Sequence, residues 1–511
     1  PIRDRLVSLT ATADFSVLGR SEFYQTALRI FTRGPENHGP ALFGTGVETY
    51  RYVSPLQQTD PRFYSSDPHS TLFQLMAELG LIGIVIYCLA WAWWGWVQTG
   101  AGLFQPDDPK TDKLWPGWRI DCCGMLAGLA GGWLHWTLDF DWTFGLIVWT
   151  AFAFIALITT ALRTRLDMRA PIRLPEGKPP AKGVKLEVPP DLSPADLKAW
   201  KLRKILSDIL IVVLAFGTIN MTAFGISRVF YDAGETAFAT WMAQRHVDSL
   251  ARADQNYYLA QIFYPLDANA VRGQSLVQLW LATQVFASNP EEARETSASA
   301  RDNAEKAIKL AAYHSTNWYN LAHIDSERFT MGFVDQPTVA ENMNRELIFA
   351  LMRDPINNPS YYVMLTQALS LSPFDDKRDT ALTLNVQRLM ELYPPESVTE
   401  YSKTRLDWQN LPISYLEIWP YYLLALKATG DTEGLARAIT DARDYLIPAA
   451  RDTEYASEEI KGKAITLVEM ALKRIEAGEA PGVPSQDLGD ALNGVEPTDP
   501  TIQPPLEGDA P

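Results

Sequence analysis

The sequence predicts an all-α protein with polytopic membrane helices in its first half and a soluble domain of repeated helical hairpins after them. Apolar runs of about twenty residues recur up to about residue 228. Beyond them, helical apolar patterns alternate with turn motifs rich in Pro, Asn and Asp. The formal net charge is −16, from 61 acidic and 45 basic residues. Such an acidic balance argues against a nucleic-acid partner, whose phosphates need basic side chains.

Residues 1–70 contain no sustained apolar run, and residues 1–78 are predicted to form a loop outside the membrane. Within this loop, the segment 21–33 has the apolar spacing of a short amphipathic helix. The stretch 39–68 is rich in Gly, Pro, Asp and Ser and is predicted to be irregular. Because it is longer than a connecting loop needs to be, it suggests a function. Gly44 and Gly46 are expected to serve backbone geometry with positive φ.

Three membrane helices are predicted within 79–162, and a fourth within 206–228. The individual spans are placed at 79–97, 119–138, 142–162 and 206–227. Between the third and fourth lies a basic, proline-rich loop, 163–205, which the positive-inside rule assigns to the cytoplasm. The loop 1–78 and everything after the fourth span are then outside. Since the chain begins with Pro1 and shows no signal peptide, we interpret it as the C-terminal portion of a longer membrane protein.

The segment 229–477 is predicted to be a soluble array of helical hairpins, similar to tetratricopeptide repeats in degenerate form. Its turn motifs recur at intervals of about forty residues, at Tyr264–Asp267, Tyr313–Asn317, Asp354–Asn358 and Tyr393–Pro395. A further helical pair is joined by Gly430 and Asp431. The tail 478–511 has no basic residue and is rich in Pro, Gly and acid. It is predicted to be disordered, because it buries too little apolar surface to offset its ordering entropy.

The order of features in the first loop resembles the O-antigen ligase and O-antigen polymerase family of membrane glycosyltransferases. The matching residues are Ser16 and Arg20, Pro40 with Gly44 and Gly46, and His69 followed by Glu78, Gly80, Leu81 and Gly83. Two positions depart from the family pattern. Ser70 follows the histidine where Asn is common, and Tyr24 stands where Trp is frequent. Neither touches the expected proton transfer, but both would alter how an acceptor fits.

The resemblance implies an enzyme of the bacterial inner membrane that makes cell-surface polysaccharide on the periplasmic side. It implies a polyprenyl-diphosphate-linked glycan as donor, a lipid or glycan as acceptor, and neither a metal nor a cofactor. His69 would be the catalytic base and Arg20 would bind the diphosphate. Histidine suits proton removal near neutral pH, and the planar arginine fork binds phosphate oxygens in bidentate fashion. A lone histidine beside a membrane is otherwise more often structural.

Four further residues are candidates for substrate binding: Arg29, Arg33, His135 and Asp139. Arg29 and Arg33 lack a motif match, so a solvated helix face is the alternative for both. His135 and Asp139 resemble a His…Asp-Phe pattern between two spans of family members with large C-terminal domains, and they would share a helical face. The alternative is an ion pair that anchors the helix end. Glu78 is expected to cap or orient rather than to transfer protons.

The sequence is also compatible with two other functions. One is a protein O-oligosaccharyltransferase, with a protein acceptor in place of lipid or glycan. The other is a non-enzymatic, membrane-anchored scaffold whose helical repeats recruit an envelope partner. Further outward-facing arginines in additional N-terminal spans would favour an enzyme. No Cys-x-x-Cys, His-Glu-x-x-His, Gly-x-x-x-x-Gly-Lys or Gly-x-Ser-x-Gly motif occurs to suggest another chemistry.

Overall fold

The fold was analysed in a computed structural model, which divides the chain into two compact units. The first unit comprises residues 1–57 and 65–221, and the second comprises 58–64 and 222–511. All described secondary structure is helical, and no strand occurs in it, which confirms the predicted all-α class. The structure describes residues 15–33, 40–46, 49–61, 63, 65, 67–98, 123–129, 219–220, 222–372, 376–404, 408–454 and 456–478.

The described part of the first unit contains five helical segments. They are α1 (Phe15–Arg33), α2 (Pro40–Phe43), α3 (Tyr50–Gln57), α4 (Thr71–Gln98) and α5 (123–129). The helix predicted at 21–33 is confirmed and begins earlier in the chain. The irregular structure predicted for 39–68 is wrong in part, because α2 and α3 lie inside that stretch. Helix α3 forms although Pro55 lies within it, and buries its first residue, Tyr50.

The core of the first unit forms where α1, α3 and α4 meet. Ala27, Ile30, Tyr50 and Ala77 are buried together, with Val53 and Phe73 packed against them. Small and branched side chains let α1 approach α4 closely, while the Tyr50 ring fills the space beside them. This core fixes the first helix against the start of the apolar helix.

Helix α4 holds the apolar stretch that sequence analysis assigned to the first span. Among the helices of the described residues, α4 is long enough and apolar enough to cross a membrane. The stretch that meets both conditions is Thr71–Leu89, with a mean hydropathy of 2.0. The helix is interrupted at Gly80, whose φ of 64° and ψ of −165° are not helical. Most of the other three predicted spans lies outside the described residues.

The second unit is a succession of helices joined by short turns. In order they are α6 (222–244), α7 (Val247–Phe263), α8 (Ala268–Val285), α9 (Pro290–Leu310), α10 (Ser315–Thr330), α11 (Gln336–Leu351), α12 (Pro359–Leu371), α13 (Asp376–Leu392), α14 (Val398–Thr404), α15 (Leu411–Thr429), α16 (Thr432–Asp441), α17 (Ile447–Asp452) and α18 (Glu458–Glu476). A short 3₁₀ turn precedes α14, and a π-helical turn joins α16 to α17. From α7 to α13, each helix packs against the one that follows it.

Short polar side chains begin many of these helices by accepting hydrogen bonds from free backbone N–H groups. Such caps are supplied by Asp267, Asn289, Asp335, Asn358, Asp431 and Ser457. The turns predicted at 264–267, 313–317, 354–358 and 393–395 all lie between or at the ends of helices, as expected. Gly430 ends α15 with a left-handed φ of 73°, which confirms the predicted joint.

The principal core of the second unit surrounds α15. Trp408, Trp419 and Tyr415 are fully buried in it, together with Tyr393. Both indoles reach backbone acceptors, since Trp408 Nε1 donates to Asn357 O at 3.2 Å and Trp419 Nε1 to Ala438 O at 3.0 Å. The polar edges of these large rings are therefore satisfied inside an apolar interior.

Candidate functional site

His69 lies in a polar turn directly before the apolar helix α4. Its backbone N–H donates to Asp67 Oδ1 at 3.0 Å, and its Nε2 lies 3.1 Å from Ser65 Oγ. Ser70 then begins α4 by accepting a hydrogen bond on its side chain from Phe73 N at 3.5 Å. His69 has a positive φ of 50°, which is uncommon for a residue with a side chain. A residue held in this conformation by its surroundings is a candidate for function.

The imidazole of His69 packs against α1, the helix that carries the predicted phosphate ligand. The ring centroids of His69 and Phe23 are 5.1 Å apart, and Tyr24 stacks on Phe73 at 4.6 Å. Arg20 is exposed on α1, three residues and therefore about one helical turn before Phe23. The fold thus brings the backbone region of Arg20 to the same end of the unit as His69.

Arg29 has a structural environment that the sequence did not indicate. Its guanidinium pairs with Glu22 Oε2 at 3.2 Å and donates to Gln57 O at 2.5 Å. Thr26 Oγ1 also donates to Glu22, at 3.4 Å. The side chain is 17% exposed, so the alternative of a solvated helix face is wrong for Arg29. These contacts join α1 to the C-terminal end of α3.

The loop after α2 lies across the interruption of α4 at Gly80. Thr45 N donates to Ala77 O at 3.0 Å, and Gly46 N donates to Glu78 O at 2.8 Å. A helix break leaves carbonyl groups short of their usual partners, and here the loop supplies donors. Gly46 has a φ of 114°, and Gly44 a φ of 71°, so the predicted positive φ of both glycines is confirmed.

Glu78, which lies on α4 near the interruption at Gly80, orients the start of α3. Its Oε1 accepts a hydrogen bond from the backbone N–H of Tyr50, the first residue of α3, at 3.1 Å. The expected capping or orienting role of Glu78 is therefore confirmed. Tyr50 in turn donates through its hydroxyl to Phe23 O at 3.2 Å. Burial, reinforced by Asp67 and Glu22, raises the pKa of Tyr50 well above its usual range, which keeps the phenol protonated.

An apolar groove of about 470 Å³ runs along α4, beside the place where α2 and the loop after it meet that helix. Its walls are almost entirely apolar. The groove is lined by Phe43, Leu79, Ile82, Gly83, Ile86 and Tyr87. The groove is open to its surroundings, and its apolar lining suits contact with a hydrocarbon chain.

Several predicted site residues are not brought into this arrangement by the described structure. Arg33 is the last residue of α1, and its side chain lies outside what is described, as does that of Ser16. His135 and Asp139 also lie outside the described residues. Within those residues, no group of three or more His, Cys, Asp or Glu side chains could hold a metal ion.

Sequence analysis missed the supporting residues around His69. Ser65 and Asp67 were not singled out, although an Asp two residues before a His is a recognisable turn motif. The ion pair of Glu22 and Arg29 was also missed, although a separation of seven residues places both on one face of a helix. A comparison with protein-family models and with curated proteins returned no match for this chain.

Proposed function

We propose that this chain is a membrane glycosyltransferase of the O-antigen ligase or polymerase type. It transfers or polymerises a glycan from a polyprenyl-diphosphate donor on the periplasmic side of the bacterial inner membrane. One observation supports this function above the others. The His69 ring lies 5.1 Å from the Phe23 ring, so a candidate base at the start of an apolar helix adjoins the helix that bears Arg20.

In the proposed reaction, an acceptor hydroxyl attacks the anomeric carbon of the donor glycan. The new bond forms between the acceptor oxygen and that carbon, while the bond from the carbon to the phosphate oxygen breaks. The electron pair leaves with the diphosphate, whose added charge Arg20 stabilises. The hydroxyl proton passes to the imidazole of His69. Ser65 and Asp67 act as positioning residues, through Nε2 and the backbone N–H of His69.

The apolar groove along α4 supports a donor with a lipid tail. Phe43 on α2 and Ile86 on α4 both line it, and Ile86 is itself exposed. A polyprenyl chain held there would present its diphosphate at the polar end of α4, where the turn 65–70 lies. The groove would thus anchor the donor without contributing to the chemical step.

The second unit takes the role of a recruitment domain in this proposal. Its consecutive helices support an array of helical hairpins like tetratricopeptide repeats, located in the periplasm. Such arrays hold peptides or partner proteins on extended surfaces. The array would raise the local concentration of an acceptor or of an envelope assembly partner near the membrane. It performs no chemistry itself.

The test is transfer by the full chain in detergent, with lipid-linked glycan extracted from the cells that produce it. His69→Asn is the sharpest variant, because Asn tolerates positive φ while it removes the imidazole. We expect a loss of at least about 100-fold in rate. His246→Asn is the matched control, since His246 precedes α7 and caps nothing with its side chain. Full activity of His69→Asn would refute the proposed base.

The product of the same assay separates the open alternatives. Glycan on a lipid acceptor indicates a ligase, a longer lipid-linked glycan indicates a polymerase, and glycan on protein indicates an oligosaccharyltransferase. If the purified chain transfers nothing with any acceptor, the scaffold alternative stands.

A further inference from the structure

A serine hydroxyl lies against the imidazole of the proposed base. Ser65 Oγ is 3.1 Å from Nε2 of His69. The backbone N–H of Asp67 also donates to Ser65 Oγ, at 3.4 Å, and so occupies one of its lone pairs. When Nε2 carries no proton, as a base requires, the hydroxyl of Ser65 is the donor in its contact with His69. A hydroxyl that donates to a histidine nitrogen has the arrangement of an activated nucleophile.

An acceptor hydroxyl that gives its proton to Nε2 needs the same position. A general base takes a proton from a group within about 2.6–3.2 Å. Ser65 Oγ already lies at such a distance from Nε2. The acceptor oxygen and Ser65 Oγ therefore compete for one lone pair of His69. When no acceptor is bound, the hydroxyl beside the base belongs to the chain itself.

Exposure distinguishes Ser65 from other described hydroxyl groups around this turn. Ser65 and His69 are both partly exposed, so a donor can approach their contact from outside the fold. Three neighbouring residues with hydroxyl groups are buried instead: Ser70 is 1% exposed, Thr71 is 7% exposed and Tyr50 is 1% exposed. Of these four hydroxyl groups, that of Ser65 combines access from outside with a hydrogen bond to the imidazole.

We propose that Ser65 is a site of self-glycosylation, to which the chain transfers the donor glycan when acceptor is scarce. The inference rests on the proposed function, because it uses the same donor and the same base. Ser65 Oγ attacks the anomeric carbon, so a bond forms between these two atoms while the bond from that carbon to the phosphate oxygen breaks. The electron pair leaves with the diphosphate, whose added charge Arg20 stabilises. The hydroxyl proton passes to Nε2 of His69.

The glycan on Ser65 is an end product and not an intermediate of transfer. Enzymes that pass a glycan through a covalent intermediate commonly use a carboxylate for it, because a carboxylate leaves readily in the second step. A serine alkoxide is a far poorer leaving group than a carboxylate or a diphosphate. The glycan therefore stays on Ser65, where it blocks the space beside Nε2 of His69. A modified chain no longer transfers, and bound acceptor protects the chain from modification.

The test incubates the purified full chain in detergent with lipid-linked glycan extracted from the cells that produce it. One sample lacks acceptor, and the other contains the acceptor that supports transfer. Mild acid releases the glycan from a portion of the donor, so that its mass is measured independently. Mass spectrometry of the intact chain then detects the addition of that mass. Electron-transfer fragmentation of the proteolytic peptide locates the glycan and separates Ser65 from Ser66 and Ser70.

Without acceptor, we expect the glycan on Ser65 and a loss of transfer activity in proportion to the modified fraction. Saturating acceptor should lower the modified fraction at least about fivefold, because the two hydroxyl groups compete for one nitrogen. Transfer to acceptor by a chain whose Ser65 stays unmodified without acceptor would overturn the inference and leave the proposed function standing. A glycan on Ser66 or Ser70 instead would also overturn it. Absence of transfer to any hydroxyl group would overturn both.

Two variants separate reaction at the base from the general reactivity of an exposed serine. His69→Asn keeps the hydroxyl of Ser65 but removes the imidazole, so the chain should stay unmodified. Ser65→Thr keeps a hydroxyl group at the same position and should still be modified there. Equal modification of His69→Asn and of the wild type would show that His69 does not activate Ser65, and would overturn the inference.

Discussion

A Cβ atom built on Gly80 would lie 2.5 Å from the backbone nitrogen of Gly44. The reverse contact is as close, because a Cβ on Gly44 would lie 2.2 Å from the carbonyl carbon of Glu78. The loop and the helix therefore meet backbone to backbone, and neither glycine can carry a side chain without movement. This crossing is what holds α2 and the loop after it against α4.

Gly80→Ala should release the loop from α4. The cost includes roughly 1–3 kcal/mol for a residue with a side chain at this combination of φ and ψ, which is almost restricted to glycine, and a further 1–3 kcal/mol for the clash. Trypsin should then cleave after Arg51 at least about ten times faster, since the local opening becomes more frequent. Gly430→Ala is the control, because Gly430 has a φ of 73° with nothing within 4 Å. Equal cleavage in wild type and Gly80→Ala would contradict the crossing.

Arg29→Met should destabilise the first unit without a specific effect on the chemical step. Glu22 would remain buried but would lose its ion pair with Arg29, at a cost on the order of 1–3 kcal/mol. The double variant Glu22→Gln with Arg29→Met should recover most of this loss. Thermal inactivation of transfer in detergent measures both. If the single variant keeps its stability but loses donor affinity, Arg29 binds substrate, as the sequence analysis allowed.

Arg20→Lys should impair transfer more than retention of charge would suggest. An ammonium group cannot reproduce the bidentate fork of arginine on a diphosphate. We expect a loss of about 10-fold or more in rate at saturating acceptor, which corresponds to about 1.4 kcal/mol. Arg33→Lys, at the end of the same helix, is the comparison. Equal and mild effects would assign both arginines to general surface electrostatics.

The sequence predicted the helical class and the turns of the second unit well, because those features depend on local signals. Gly430 and the motif at 264–267 carry their conformational preference wherever they occur. The close contact of Gly44 with Gly80 was not predictable, although the positive φ of Gly44 was. That contact depends on how two distant segments meet, and no periodicity encodes it. Likewise, the hydrogen bond from Arg29 to Gln57 O was not predictable, because the acceptor is contributed by another helix.

The topology can be tested with single cysteines in a chain that lacks the native three. Ser193→Cys lies in the loop predicted to be cytoplasmic, and Ser288→Cys lies on an exposed turn of the second unit. In intact spheroplasts, an impermeant thiol reagent should label only the cysteine at residue 288. After the membrane is permeabilised, both should react. The reverse pattern in intact spheroplasts would overturn the assigned orientation of the spans.

The last prediction concerns a buried carboxyl group in the second unit. Glu346 on α11 is fully buried, 3.9 Å from Arg301 and 3.4 Å from Arg345. Arg301 is engaged more closely by Asp325, at 2.8 Å, and by Glu305. Burial and then the nearby charge of Asp325 raise the pKa of Glu346 to about 8, against the attraction of both arginines. The folded state therefore holds this proton at a pH where the unfolded chain has released it.

Stability should accordingly fall as the pH rises from the unfolded value of about 4.5 to about 8. Below this pH range Glu346 is protonated in both the folded and the unfolded chain, and above it Glu346 is ionised in both. Its effect on the pH dependence of stability is therefore confined to this range. Between pH 5 and pH 8 the contribution of Glu346 is a loss of roughly 2–4 kcal/mol. Glu346→Gln should remove this slope, whereas Glu341→Gln, on an exposed part of the same helix, should retain it. Unfolding of the full chain in detergent, followed by circular dichroism at several pH values, measures the difference. A slope that survives in Glu346→Gln would show that another group binds the proton.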